Sequence, residues 1–158
     1  MRPVYLAAAA LVMVATPALA DPAEFLTKAM KGDNSETTLG HMAERQGASA
    51  ATKRFGAMLA ADHTKARAQA LPVARRHGVS PTTAMADEAV TEQHKLEGLH
   101  GAAFDREFAR YMVSDHEKDI ADFEKEANSK DPADIRALAR QTLPALRRHL
   151  ATAKSIRA

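Results

Sequence analysis

Two stretches of this sequence are near copies of one another. Phe55-Gly56-Ala57-Met58-Leu59-Ala60-Ala61-Asp62-His63-Thr64-Lys65 and Phe108-Ala109-Arg110-Tyr111-Met112-Val113-Ser114-Asp115-His116-Glu117-Lys118 each carry Asp-His seven and eight residues after Phe, then Lys. On an α-helix, positions i and i+7 share a face. Each Phe and its Asp therefore lie on one stripe, and that stripe should face a core. A carboxylate there is costly to bury unless something pairs with it. The chain is thus expected to be a helical assembly that joins two such stripes.

Composition agrees. The 158 residues suffice for one domain with one core. The apolar residues are mostly Ala, Leu and Met, which are strong helix formers. Val and Ile are sparse and Trp is absent, which argues against a sheet. The chain has 22 basic and 20 acidic residues, a formal charge of +2, so charge alone does not point to nucleic acid. With no cysteine, disulfides, thiolate nucleophiles, iron–sulfur clusters and thiolate metal sites are excluded. A metal would have to be held by His, Asp and Glu.

The first twenty residues read as an address. Arg2 is followed by an apolar run from Val4 to Val14, then Ala15-Thr16-Pro17-Ala18-Leu19-Ala20. Ala18-x-Ala20 fits the small-residue cleavage rule of a secretory signal. The run is shorter than the roughly 20 residues of a membrane span. The expected layout is a signal peptide over residues 1–20 and a helical domain over 21–158. The domain would then be periplasmic or secreted.

From Asp21 the pattern is helical throughout. Helix A is expected over Pro22 to Gln46, with Asp21 as cap and Glu36 in mid-stripe. Gly32-Asp33-Asn34-Ser35 could break it, but the periodicity reads through. Helix B should span Ala50 to His77, capped by Ser49, bent at Pro72 and stopped at Gly78. Helix C, Met85 to His100, is short and charged and reads as part of a crossover. Helix D should span Ala102 to Asn128. Helix E should follow Asp131-Pro132 and run to about Arg157, kinked at Pro144. Four long helices with one crossover suggest an all-α, four-helix bundle with an extra short helix. At the 53-residue offset between Asp62 and Asp115, His41/His94 and Glu44/Glu97 also match, a faint internal duplication.

The inward polar residues define the candidate site. Every long helix contributes: Glu36 on A, Asp62 and His63 on B, Asp105, Asp115 and His116 on D, His149 on E. Carboxylates and imidazoles meeting inside a bundle can hold iron, manganese or zinc, because the ion neutralises the acids and accepts the imidazole lone pairs. The expected ligands are Glu36, His63, Asp115 or His116, and His149. Asp62 and Asp105 would orient imidazoles from outside the ligand set. The competing reading is a hydrogen-bonded Asp-His network that only fixes helix register. Neighbours in sequence point about 100° apart on a helix, so Asp and His of one pair cannot both face the centre well.

The leader, Phe-x(6)-Asp-His, Gly101-Ala102-Ala103-Phe104-Asp105, Met112-Val113-Ser114-Asp115-His116 and Leu143-Pro144-x-Leu146-x-x-His149 together resemble a widespread bacterial family of unknown function. Its members are often labelled outer-membrane or exported proteins. The resemblance covers nearly the whole chain after the leader. It implies a ferritin-like four-helix fold outside the cytoplasm and no established reaction. Its matching positions are Asp62, His63, Phe104, Asp105, Asp115, His116 and His149. The chain departs from di-iron ferritins, which place Glu-x-x-His on two helices. Here the only such spacing is Glu97-Gly98-Leu99-His100, beside Gly101.

Residues 131–158 hold six basic and two acidic side chains. A solvated face explains them, since basic residues favour helix C-termini. An anionic partner or membrane surface is the functional alternative. No aromatic residues interleave for nucleic-acid stacking. The methionines are spaced as core rather than as a copper-binding box. Ser114 beside Asp115-His116 is not a triad, because adjacency on a helix points the groups apart. Nothing in the sequence bears on oligomeric state. The leading expectation is an exported bundle that binds a metal ion in metal handling or stress, rather than an efficient enzyme. The alternatives are a structural or interaction module, and a metal-dependent oxidase or peroxidase needing a second carboxylate-rich site.

Overall fold

The computed structural model describes residues 21–157; the leader expected over residues 1–20 lies outside them. The chain forms five helices: α1 (Pro22–Gln46), α2 (Ala50–Arg76), α3 (Asp87–Glu97), α4 (Gly101–Ala127) and α5 (Ala133–Arg157). No strand occurs among the described residues. α1 packs along α2, α4 packs along α5, and α2 against α5 joins the two hairpins. The short α3 lies in the crossover and touches α1 and α4. The structure is thus a bundle of four long helices with one short extra helix.

Local chemistry sets the ends. Asp21 accepts a hydrogen bond from the Ala23 amide and Pro22 opens the first turn of α1. Ser49 Oγ accepts from the Thr52 amide at the start of α2. Gly78 takes φ +71° just past α2, where a side chain would be strained. The helix ends at Arg76, one residue before the expected His77, which serves as its C-cap. α3 is shorter than the expected Met85–His100. Residues 80–86 instead lie outside any helix and are tied to α1 and α2. Asn34 donates to the Thr82 and Ala84 carbonyls, Arg67 to the Thr82 carbonyl, and the Ala86 amide to Ser35 Oγ. The Gly32–Ser35 segment is therefore unbroken helix, and two of its polar side chains anchor the crossover. α2 and α5 continue through Pro72 and Pro144.

The apolar side chains form two main clusters. One holds Leu39, Phe55, Leu59, Phe104, Phe108 and Met112, with Phe55 and Phe108 edge-to-face at 5.9 Å. The other holds Leu26, Met30, Val73, Ile135 and Leu138. Along α1, Asp33 and Glu36 fall between the two clusters; along α2, His63 does. A polar layer thus crosses the middle of the bundle.

One expected role is corrected. The Asp105 carboxylate meets no imidazole; it accepts from the Ala48 and Ser49 amides, each at 2.8 Å. It ties α4 to the α1–α2 turn at the N-cap of α2, satisfying two amides there. Those two amides hold its pKa below the usual carboxylate value, against the upward pull of burial.

α1 and α2 approach closely where Gly40 faces Gly56. A Cβ on Gly40 would lie 2.7 Å from the Gly56 carbonyl oxygen, and one on Gly56 would lie 2.5 Å from the Gly40 carbonyl oxygen. Backbone cannot yield as a flexible side chain can, so Gly56→Ala should destabilise by about 1–3 kcal/mol despite alanine's better helix propensity. Urea denaturation checks this. Asp105→Ala should cost about 1 kcal/mol in the same assay, as loss of a helix cap does.

Candidate metal centre

The layer is built from one turn of each long helix. α2 supplies His63, α4 supplies His116, α5 supplies His149, and α1 supplies Asp33 and Glu36. Relative exposures are 4% for His63, 0% for His116, 1% for His149 and 0% for Glu36, so the groups are dry. The ring centroids of His63 and His116 lie 5.3 Å from that of His149 and 6.0 Å from each other. One nitrogen from each ring falls within 4.8 Å of the other two. Glu36, Asp115 and His116 form a second such grouping, contiguous with the first through His116.

Outer partners decide which nitrogens face inward. His116 Nδ1 lies 2.9 Å from the Met112 carbonyl oxygen, an acceptor only, so Nδ1 carries the proton and Nε2 keeps its lone pair. His149 Nε2 lies 2.9 Å from Asp62 Oδ2. Its hydrogen bonds from His149 and Arg148 hold Asp62 below the usual carboxylate pKa despite partial burial, so Nε2 is the donor and Nδ1 keeps the lone pair. His63 Nδ1 is engaged by Asp33 Oδ1 at 3.0 Å, which leaves Nε2 as the free nitrogen. That Nε2 is buried with no hydrogen-bond partner. His116 Nε2 and His149 Nδ1 approach to 3.3 Å.

Burial keeps the imidazoles neutral. Loss of solvent pushes His63 and His149 down to about 4 and His116 down to about 3. Nearby carboxylates oppose this without overcoming it. Neutral imidazole is the ligating form. Burial pushes Glu36 well above the usual carboxylate range, and the Asp115 charge adds to it. Both Glu36 oxygens are buried without a hydrogen-bond partner.

Each expected residue therefore has a definite place. His63, His116 and His149 converge, Glu36 and Asp115 adjoin His116, and Asp62 orients His149. Half-exposed Asp62 points to α5 while His63 points inward, as the 100° step between neighbours requires. Asp115 lies beside the Tyr111 hydroxyl, which donates to it at 3.4 Å. Asp105 is elsewhere, at the α2 cap. Asp33 is the residue that sequence reasoning missed. It was legible only as part of a potential helix break, yet it lies two turns from Leu26 on the same face as Leu26 and Met30. The spacing Leu26, Met30, Asp33 is the signal that it points inward. The matched pairs His41/Glu44 and His94/Glu97 are exposed i,i+3 contacts at 3.3 and 3.4 Å and lie outside the layer.

No protein of curated function matches this chain. Among solved structures, it is similar to a DUF305 fragment from Deinococcus radiodurans, with a TM-score of 0.75 and 16% identity over 89% of this chain and 97% of the other. At that identity the likeness concerns the fold alone and supports the helical bundle. The domain profile described as "Domain of unknown function (DUF4142)" matches residues 8–156. The chain belongs to the DUF4142 family, a helical family of unknown function.

Proposed function

We propose that this protein holds a divalent transition-metal ion between His63, His116 and His149, with Glu36 and Asp115 as the carboxyl groups adjoining it at His116. The observation that carries the reading is the 3.3 Å approach of His116 Nε2 and His149 Nδ1, two lone pairs with no proton between them. In a dry interior such a contact is repulsive, and a cation between them turns repulsion into ligation. Ligating histidines characteristically donate their other N–H to a carboxylate or carbonyl, as His149 does to Asp62 and His116 to Met112.

The alternative, a network serving only helix register, requires every member to be satisfied. Glu36 and His63 Nε2 are not, which favours an ion. A di-metal oxidase or peroxidase is disfavoured for a different reason. The second grouping shares His116, whose Nδ1 is taken by Met112, so one Nε2 would have to serve two ions. Three imidazoles and a carboxylate suit zinc, iron or manganese. A bound ion would supply Lewis acidity, while the protein's side chains fix tautomers and exclude water. We further read the chain as an exported, ferritin-like bundle in metal handling. Support comes from the leader-like pattern Arg2, Val4–Val14 and Ala18-x-Ala20. N-terminal sequencing of protein recovered from its native cell should begin at Asp21.

Elemental analysis of the purified protein should find zinc, iron or manganese. Adding the ion at about 100 times its Kd should stabilise the metal-free protein by about 2.7 kcal/mol. Absence of bound metal, with melting unchanged by all three ions, would sink the proposal. His63→Ala, His116→Ala and His149→Ala should each weaken binding at least about tenfold, and Asp62→Asn by about 10–100-fold. Calorimetric titration reads these losses. Glu36→Met should raise the melting temperature of the metal-free protein at pH 7.5, because it removes a buried unpartnered carboxyl group, while weakening metal binding.

A further inference from the structure

A cavity of about 140 Å³ lies beside the imidazole layer, between the first half of α1, the last two turns of α4 and the middle of α5. Its lining starts at the surface with Glu24, Lys28 and Asp122 and ends inside at Asp33, His63 and Leu146. That volume holds several waters at about 30 Å³ each. Six carboxyl groups and two lysines line it. Asp119 lies part-way along, and no side chain hydrogen-bonds it among the described residues. Asp33 stands at the inner end, bonded to His63, whose buried Nε2 lacks a partner. Asp62, which does not line the cavity, is held by His149 and Arg148.

We propose that this cavity is the passage by which a divalent cation reaches the imidazoles, with Asp119 and Asp33 as successive carboxylate stations and His63 as the first imidazole met. This rests on the metal-binding reading above. A cation entering a narrow, low-dielectric passage must shed water in steps. Carboxylate oxygens spaced along it replace that water one ligand at a time. At the mouth Asp21, Glu24 and Asp122 outnumber Lys28 and Lys125, which favours cations there, while burial pushes the inner Asp119 and Asp33 carboxyls well above the usual range, so each exchanges its proton for the arriving ion. The aspartates of the passage thus act on the rate of loading, whereas the imidazoles set the affinity.

Gly32 allows a direct test. It lies on the cavity wall within α1, and a Cβ there would meet nothing within 4 Å. Gly32→Met should fold well, since replacing a mid-helix glycine is favourable, and its side chain has the cavity to enter. Zinc uptake and release by the purified protein are followed in stopped flow with a chelating dye. A plugged passage slows both directions, because it changes the barrier and not the end states. Gly32→Met should reduce association and dissociation rates at least about tenfold with Kd within about twofold, while Gly32→Ala leaves both rates near wild type. Asp119→Asn should slow association severalfold, because it removes a carboxylate ligand from the passage. If wild type binds zinc and Gly32→Met leaves both rates unchanged, or alters Kd through only one of them, the passage is overturned while the metal site stands. If wild type binds no zinc, iron or manganese, both proposals fall.

Discussion

Everything in this bundle is arranged around the burial of ionisable groups at one height. Glu36, His63, His116 and His149 are each almost wholly removed from water. Desolvation penalises charge there, so the imidazoles are held neutral and Glu36 is pushed toward its protonated form. Such a layer cannot hold the protein together by itself. The apolar clusters above and below it do so, one centred on Phe55, Phe104 and Phe108, the other on Leu26, Met30 and Ile135. The polar layer persists because each helix is committed to apolar packing on both sides of it. None can rotate its acid or imidazole outward without withdrawing a Phe, Leu or Ile from a core.

Close packing of α1 on α2 reinforces this commitment. The Gly40–Gly56 contact brings backbone to backbone. That approach helps set the α1–α2 register that places Asp33 against His63. Asp105 acts at the same end of the bundle, tying α4 to the start of α2 through two amides. Asn34, Ser35 and Arg67 draw the crossover against α1 and α2. Polar residues at the helix ends and crossover thus mostly fix geometry, although Glu92, Asp131 and Arg136 each keep one buried atom without a partner. In the central layer both Glu36 oxygens and His63 Nε2 remain unpartnered. Natural proteins violate local rules of polar satisfaction mainly at functional sites. What sets the central layer apart is that its unpartnered atoms lie among converging imidazole and carboxylate groups.

The helices and their order were readable from periodicity, caps and breakers, because these are local: Asp21 and Ser49 cap as their side chains allow, and Gly78 stops α2. The start of α3 is not legible locally, because the segment before it is held by long-range bonds to Asn34 and Ser35, which no local window contains. Asp105 was misassigned for a related reason. Its position on the stripe of α4 indicated that it points inward, but not that the amides of Ala48 and Ser49 would be waiting there.

The sequence by itself determined that the chain is all-helical and which face of each long helix carries most of the core, because a period of 3.6 residues sorts side chains by face without reference to any neighbour. It also determined that a metal could be held only by imidazoles and carboxylates, because there is no cysteine. Only the tertiary structure decided which inward groups meet, and which nitrogen of each imidazole is left free. Those properties depend on the relative height and rotation of separate helices, and on partners such as Asp33, Asp62 and the Met112 carbonyl, which direct each ring through a contact at about 3 Å.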